Sequence, residues 1–169
     1  MKFWPILIML FSIIAGQAKA DIVPEQVEAP SKQIPDAIQL ANEYLAALTA
    51  RDYGKLSRFY SRETKFVDRT AKKTLTGGSD ILTFLRRIHV YTLDYSFEVD
   101  HAFHSGSLVV YIGTYKYKSR GDLFGKPGQN IELQIPGVTT IEVDLNDREI
   151  KTHTDLLDYD TMRDQLAAQ

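Results

Sequence analysis

Among the side chains that can hold or move a proton, four stand out by position: Tyr44, Asp68, His153 and Asp155. A phenol donates a hydrogen bond, a carboxylate takes a proton, and an imidazole does either near neutral pH. Phe66 and Asp68 stand two residues apart, so in a strand they share a face. If Phe66 turns to the core, Asp68 turns inward with it. A carboxylate held against an apolar wall is a better proton acceptor at neutral pH than one in water. His153 and Asp155 share a face by the same rule, together with Lys151. A His-x-Asp pair falls short of the three or four ligands a metal site uses, so no metal is expected. Each residue also has a plain structural reading. Tyr44 can be a core aromatic, Asp68 can pair with Arg69 or cap the next turn, and His153 with Asp155 can be a polar patch at a cavity rim.

The elements that must position these groups are legible from periodicity. Ile38, Ala41, Tyr44, Leu45 and Leu48 recur at helical spacing, with Asp36 as the expected cap. Leu56, Phe59 and Tyr60 mark a second, shorter helix. Residues 64–69 read as a short strand and residues 70–76 as a polar loop. Gly77-Gly78-Ser79 turns the chain into a third helix carrying Ile81, Leu82, Leu85 and Ile88.

After His89 the period becomes two. Tyr91, Leu93, Tyr95, Phe97 and Val99 form one dry face of a strand. Residues 108–118 predict a second long strand, apolar on both faces as far as Ile112 and therefore central. Residues 119–130 predict a long hairpin loop. Residues 131–145 predict a third long strand, with a bulge or sharp bend at Pro136-Gly137. A last strand over 149–157 and a short helix from Tyr159 follow. Helices ahead of an antiparallel meander imply an α+β fold: a curved antiparallel sheet wrapped around N-terminal helices, forming a cone with an internal cavity.

The chain has 20 Lys and Arg, 22 Asp and Glu, and no cysteine. Thiol catalysis, thiolate metal sites and disulfides are excluded. Lys2, an apolar run over residues 3–14 and Ala18-Lys19-Ala20 have the form of a signal peptide, residues 1–20. Removing Lys2 and Lys19 shifts the formal charge from −2 to −4. Nucleic acid is not an expected partner, nor is stable membrane insertion after cleavage. The expected location is periplasmic or secreted. Residues 21–35, with Pro24, Pro30 and Pro35, read as a flexible linker, and 36–169 as one domain.

Several segments carry a family resemblance. They are Tyr44-Leu45-Ala46-Ala47-Leu48 with Arg51-Asp52, Arg58-Phe59-Tyr60 leading to Lys65-Phe66-Val67-Asp68, Gly77-Gly78-Ser79-Asp80-Ile81, and His153 through Tyr159. With these the chain from Pro35 resembles the nuclear transport factor 2-like superfamily, the cystatin-like cone fold, and within it the SnoaL-like branch. In that superfamily ketosteroid isomerases place a tyrosine on the first helix and a general-base Asp on the strand after the second. The resemblance puts Tyr44 and Asp68 on those positions. The isomerases' second oxyanion donor, a protonated Asp, falls near Val138 or Thr139. No carboxylate stands there, and Thr139 offers a weaker donor. The Asp-Arg-Asp set of the epoxide-opening branch finds no counterpart.

Three functions follow as expectations. The first is binding of a small, largely apolar molecule in the cone, by Tyr44, Asp68, Tyr111, Thr139, His153 and Asp155, without a cofactor. The second is isomerase, cyclase or lyase chemistry, with Asp68 as base, Tyr44 as oxyanion donor and His153 as acid–base partner. The third is a homodimeric interaction module joined through the sheet. The strand tyrosines Tyr91, Tyr95, Tyr111, Tyr115 and Tyr117 are read as sheet packing or a dimer face, with Tyr95 in the core.

Overall fold

The computed structural model describes residues 34–169. The expected signal peptide and nearly all of the expected linker lie outside the described residues. Helix α1 (Asp36–Thr49) buries Ala37, Leu40, Ala41, Tyr44, Leu45, Ala47 and Leu48, the apolar stripe that the spacing predicts. It begins at Asp36, directly after Pro35, so Asp36 does not cap it. Its charge sits in the first turn, where the helix dipole favours an anion. The chain reverses at Arg51 with φ +58°, and the Asp52 carboxylate caps helix α2 (Tyr53–Leu56) by accepting the Lys55 amide at 2.9 Å.

Six strands form one sheet: β1 (Lys65–Asp68), β2 (Lys73–Thr76), β3 (Thr92–Ser105), β4 (Leu108–Arg120), β5 (Asn130–Asp144) and β6 (Glu149–Leu157). Their order is β2-β1-β6-β5-β4-β3. Every pair is antiparallel except β1 with β6. Helix α3 (Gly78–Ile88) and helix α4 (Tyr159–Ala168) complete the fold, an α+β cone.

Four local expectations are corrected. The polar segment 70–76 contains β2, because Lys73–Thr76 finds the free edge of β1. Strand β4 is paired on both sides but lies next to the sheet edge, and its outer-face Leu108 and Ile112 are exposed. A register shift between Thr92 and Asp94 turns Thr92 inward and leaves Leu93 exposed, against strict alternation. The ladder also runs unbroken through Pro136-Gly137, which pair with Thr114 and Gly113. The irregularity of β5 lies instead at Glu142–Val143 opposite β6, and it rotates Lys151 away from the face that His153 and Asp155 share.

Gly137 has a different task. It stands directly across from Gly113. A Cβ on Gly113 would stand 2.2 Å from the Glu98 carbonyl oxygen; on Gly137 it would stand 2.7 Å from that of Leu156. Only glycine admits such close backbone approach.

Two apolar clusters fill the concave side. The larger joins α1 to Val109, Tyr111, Ile141, Val143 and Ile150. The smaller joins Tyr115, Ile131, Leu133 and Ile135 to α4 through Met162 and Leu166. The polar groups of interest lie deep on this concave side.

Candidate functional site

Strand β6 sends His153 and Asp155 to the concave side, both buried. They belong to the interior, not to a rim. Across the ladder Thr139 pairs with Asp155, and Phe66 with His153. The carboxylate missing from β5 near Thr139 is therefore supplied by the neighbouring strand.

These groups form one hydrogen-bonded chain with a definite direction. Thr139 Oγ1 donates to Asp155 Oδ1 at 2.6 Å. Its single proton is then spent, so the Tyr115 hydroxyl, 2.8 Å away, donates to Thr139. On the other side His153 Nε2 lies 2.9 Å from Asp155 Oδ2. The ring N–H points off that line, so the two groups are close without an aligned hydrogen bond. A carboxylate only accepts, so the proton belongs on Nε2. The ring then accepts at Nδ1 from the Tyr44 hydroxyl at 2.8 Å. Tyr60 lies 3.0 Å beyond Tyr44. The donors thus converge on Asp155. Burial pushes the Tyr44 and Tyr115 phenols well above the usual tyrosine range, and the charge of Asp155 adds to the rise, so both stay protonated donors.

Asp68 is buried on the same strand face as Phe66, as the period of two predicts. Its Oδ1 accepts the Ala71 amide at 2.8 Å, which caps the turn after β1. Its Oδ2 accepts the Tyr159 hydroxyl at 2.5 Å. Burial, then the bond to Asp68, raises the Tyr159 phenol far above its ordinary value. Asp68 and Tyr44 are therefore both interior, but they belong to separate hydrogen-bonded groups. Tyr111, also buried, donates to Asn42 Oδ1 of α1 at 2.7 Å.

A cavity of about 270 Å³ opens between the concave face, α3 and α4. Its walls include Phe84, Tyr95, Tyr115, Tyr117, Leu133 and Tyr159. Tyr115 and Tyr159 are the links to the buried carboxylates, so Asp155 and Asp68 each stand behind a phenol of the wall. Tyr95 stacks on Tyr115 at 5.7 Å, and Phe97 stacks on it from 4.2 Å. None of Tyr44, Asp68, Tyr111, Thr139, His153 or Asp155 is itself a wall residue. A wider depression of about 720 Å³ lies over residues 61–65 and 149–152, but charged groups line it and Lys151 pairs there with Asp144. The cone offers the dry enclosure that small-molecule sites share.

Sequence reasoning missed two wall residues. Tyr159 stands beyond the sheet, on α4, where only the closing of that helix brings it to Asp68. His89 follows α3, lies on the cavity wall and faces Tyr95 at 5.0 Å between ring centres. Its Nδ1 lies 3.3 Å from the Tyr53 hydroxyl. Burial, with Arg51 nearby, lowers its pKa to about 4, so the ring is neutral at pH 7. A signal existed for His89: it ends the helix where the period switches from 3.6 to two, a junction that topology places at a cavity mouth.

The profile of the SnoaL-like domain matches residues 41–153. Among solved structures, a protein from Shewanella putrefaciens CN-32 provisionally assigned as a SnoaL-like polyketide cyclase is 47% identical, with a TM-score of 0.80. The match covers 81% of this chain and 100% of that one. A protein of the same provisional assignment from Shewanella denitrificans OS-217 is 44% identical, with a TM-score of 0.78, over 80% and 99% of the two chains. An LEH-like epoxide hydrolase from M. tuberculosis shares the fold at 19% identity, with a TM-score of 0.64, over 79% and 90%. No curated protein matches.

Proposed function

Since this chain belongs to the SnoaL-like domain family, we propose that it binds a small, largely apolar molecule inside its cone, outside the cytoplasm. One observation carries the binding reading: an aromatic-walled cavity of about 270 Å³ on the concave face, backed by buried polar groups that already satisfy one another. Apolar surface there gains about 25 cal/mol per Å² when a ligand covers it. The signal-peptide pattern of residues 1–20 supports the location. Leu133 lies on the wall, and a larger side chain there fills the space. Leu133→Trp is expected to abolish binding of 2-ethylnaphthalene, measured by quenching of tyrosine fluorescence, while the circular dichroism stays that of the folded protein. Undiminished binding by this variant would rule out the cone as the site.

A second reading is proton transfer next to a carbonyl, of the isomerase, cyclase or lyase type. Two relatives at 47% and 44% identity carry the provisional polyketide cyclase assignment. The specific observation in its favour is that Asp68 and Asp155 each lie one phenol behind the cavity wall. Asp68 reaches a substrate as base if Tyr159 swings aside, and His153, 2.9 Å from Asp155, is the acid–base partner of this reading. Tyr44 supports His153 from behind and does not touch the cavity, so the role for it is orientation. Asp68→Asn is expected to lower exchange of the α-protons of a bound aryl ketone at least 100-fold, followed by NMR in deuterated water, with binding retained. Exchange unaffected by Asp68→Asn would remove Asp68 as the base.

A homodimer through the sheet is proposed on a separate observation. On the convex face His101, Ile112, Val138 and Leu156 form one cross-strand row, and Phe103, Val110, Thr140 and Thr154 form the next. Phe103 and Leu156 are 56% and 57% exposed, too much apolar surface in one patch to be routine for a solvent-facing sheet. Beside it Glu98 and Lys116 neutralise each other at 2.5 Å, so a second copy meets no net repulsion there. Ile112→Lys is expected to convert a dimer to a monomer in light scattering; a wild-type monomer would end this proposal.

A further inference from the structure

The walls of the cone hold two polar groups that the buried network leaves free. No side-chain hydrogen bond joins the Tyr95 hydroxyl to a described residue, and its ring is stacked on Tyr115. His89 meets Tyr53 at Nδ1, and its Nε2 has no partner among the described residues. The phenol of Tyr53 has its proton to give, so it donates to Nδ1, and the ring proton sits on Nε2. Both rings line the same cavity, 5.0 Å apart between centres. Neither donor is sealed among protein atoms, so a ligand carbonyl that accepts from them takes the place of water and gains the modest net preference of a hydrogen bond.

The charge pattern selects further. No Lys or Arg belongs to the cavity wall. Directly behind it stand Asp155 and Asp68, bonded to Tyr115 through Thr139 and to Tyr159. An anionic ligand would meet these carboxylates across one phenol, and Arg51, the cation whose charge reaches His89, is not a wall residue and donates to the Thr92 carbonyl. The offset-stacked rings of Tyr95 and Tyr115 on the wall favour a flat ring system. A volume of about 270 Å³ is at the small end of ordinary ligand sites.

We infer that the cone selects an uncharged, planar aromatic ketone of one or two fused rings, its carbonyl oxygen held between the Tyr95 hydroxyl and the His89 Nε2–H. This deepens the binding reading and rests on it. Burial supports the protonation states required: it holds the Tyr95 phenol well above its ordinary value and keeps the His89 ring neutral. Tyr95 and His89 are then the residues that decide specificity, while the aromatic walls supply affinity without discrimination.

Three probes on the same ring system test this on the full chain: 2-acetonaphthone, 2-ethylnaphthalene and 2-naphthoate, by titration calorimetry. The ketone is expected to bind at least about 10-fold more tightly than the hydrocarbon, one hydrogen bond's worth, and the carboxylate more weakly than both. Tyr95→Phe is expected to weaken the ketone about 10-fold and leave the hydrocarbon within two-fold. His89→Leu is expected to do the same, and His89→Gln, which keeps a donor, to restore part of the preference. Equal binding of ketone and hydrocarbon, a parallel loss of both in Tyr95→Phe, or naphthoate as the tightest probe overturns the carbonyl clamp and leaves binding in the cone standing. Failure of every probe to bind overturns the clamp together with the binding reading beneath it.

Discussion

Asp155→Ala is expected to lower the melting temperature by about 10 °C, read by circular dichroism or scanning calorimetry. Asp155 is the acceptor on which the buried chain converges, from Tyr115 and Thr139 on one side and from Tyr44 and His153 on the other. Thr139 and His153 are themselves fully buried, so neither can turn to water when the carboxylate goes. The stranded Thr139 donor costs about 1–3 kcal/mol, and the lost contact with His153 Nε2 and a small cavity add to it, giving about 3 kcal/mol in all. For a domain of this size 1 kcal/mol moves the midpoint by about 3–4 °C. Asp155→Asn keeps one acceptor oxygen and is expected to lose less, about half. A shift below about 2 °C in the alanine variant would mean the chain contributes nothing to folding, and that its groups relax onto other partners.

The second large effect is acid sensitivity set by His89. Burial and Arg51 lower its pKa from 6.5 to about 4 in the folded protein. The unfolded chain takes up the proton first, near pH 6.5. This contribution to stability is therefore fully present above pH 6.5, falls as the pH drops, and levels off near pH 4. A displacement of about 2.5 pH units corresponds to about 3 kcal/mol, order of magnitude, lost across that window. Urea midpoints at pH 7, 5.5 and 4 measure it. His89→Gln, which carries no titrating group, is expected to flatten the curve between pH 6.5 and 4. An unchanged slope in that variant would assign the loss to other groups. The exposed Asp144 and Asp158 have lowered pKa values, held down by Lys151 and by Thr161 respectively. Their contributions fade only as the pH falls below the ordinary carboxylate range, so they do not obscure this window.

These effects also show where sequence reasoning reached and where it stopped. The period of two placed Asp68 with Phe66 and His153 with Asp155, because alternation in a strand is a local property of the backbone. The same reasoning failed at Leu93 and Lys151, where register shifts reverse the alternation. A shift depends on the partner strand, and no single strand announces it. Pro136-Gly137 was a genuine signal read as the wrong event. The glycine serves close approach of neighbouring strands, and the proline carbonyl accepts the Asp158 amide at 2.8 Å, ahead of α4.

The sequence by itself determined the α+β class, the order of helices and strands, the family resemblance and the sharing of one strand face by Phe66 with Asp68 and by His153 with Asp155. Each of these rests on composition, period or motif, which are written along the chain. Tertiary structure decided how those groups are joined. Thr139 supplies no carboxylate, yet it stands beside one, because the β5–β6 register puts Asp155 across from it. Tyr44 is bonded to His153, 109 residues away, and Asp68 to Tyr159, 91 residues away. The cavity wall, with Tyr95 and His89 free to meet a ligand, exists only once α3 and α4 close over the sheet. Hydrogen-bond partners across strands and helices are fixed by packing geometry, and that geometry is a property of the assembled core rather than of any segment that builds it.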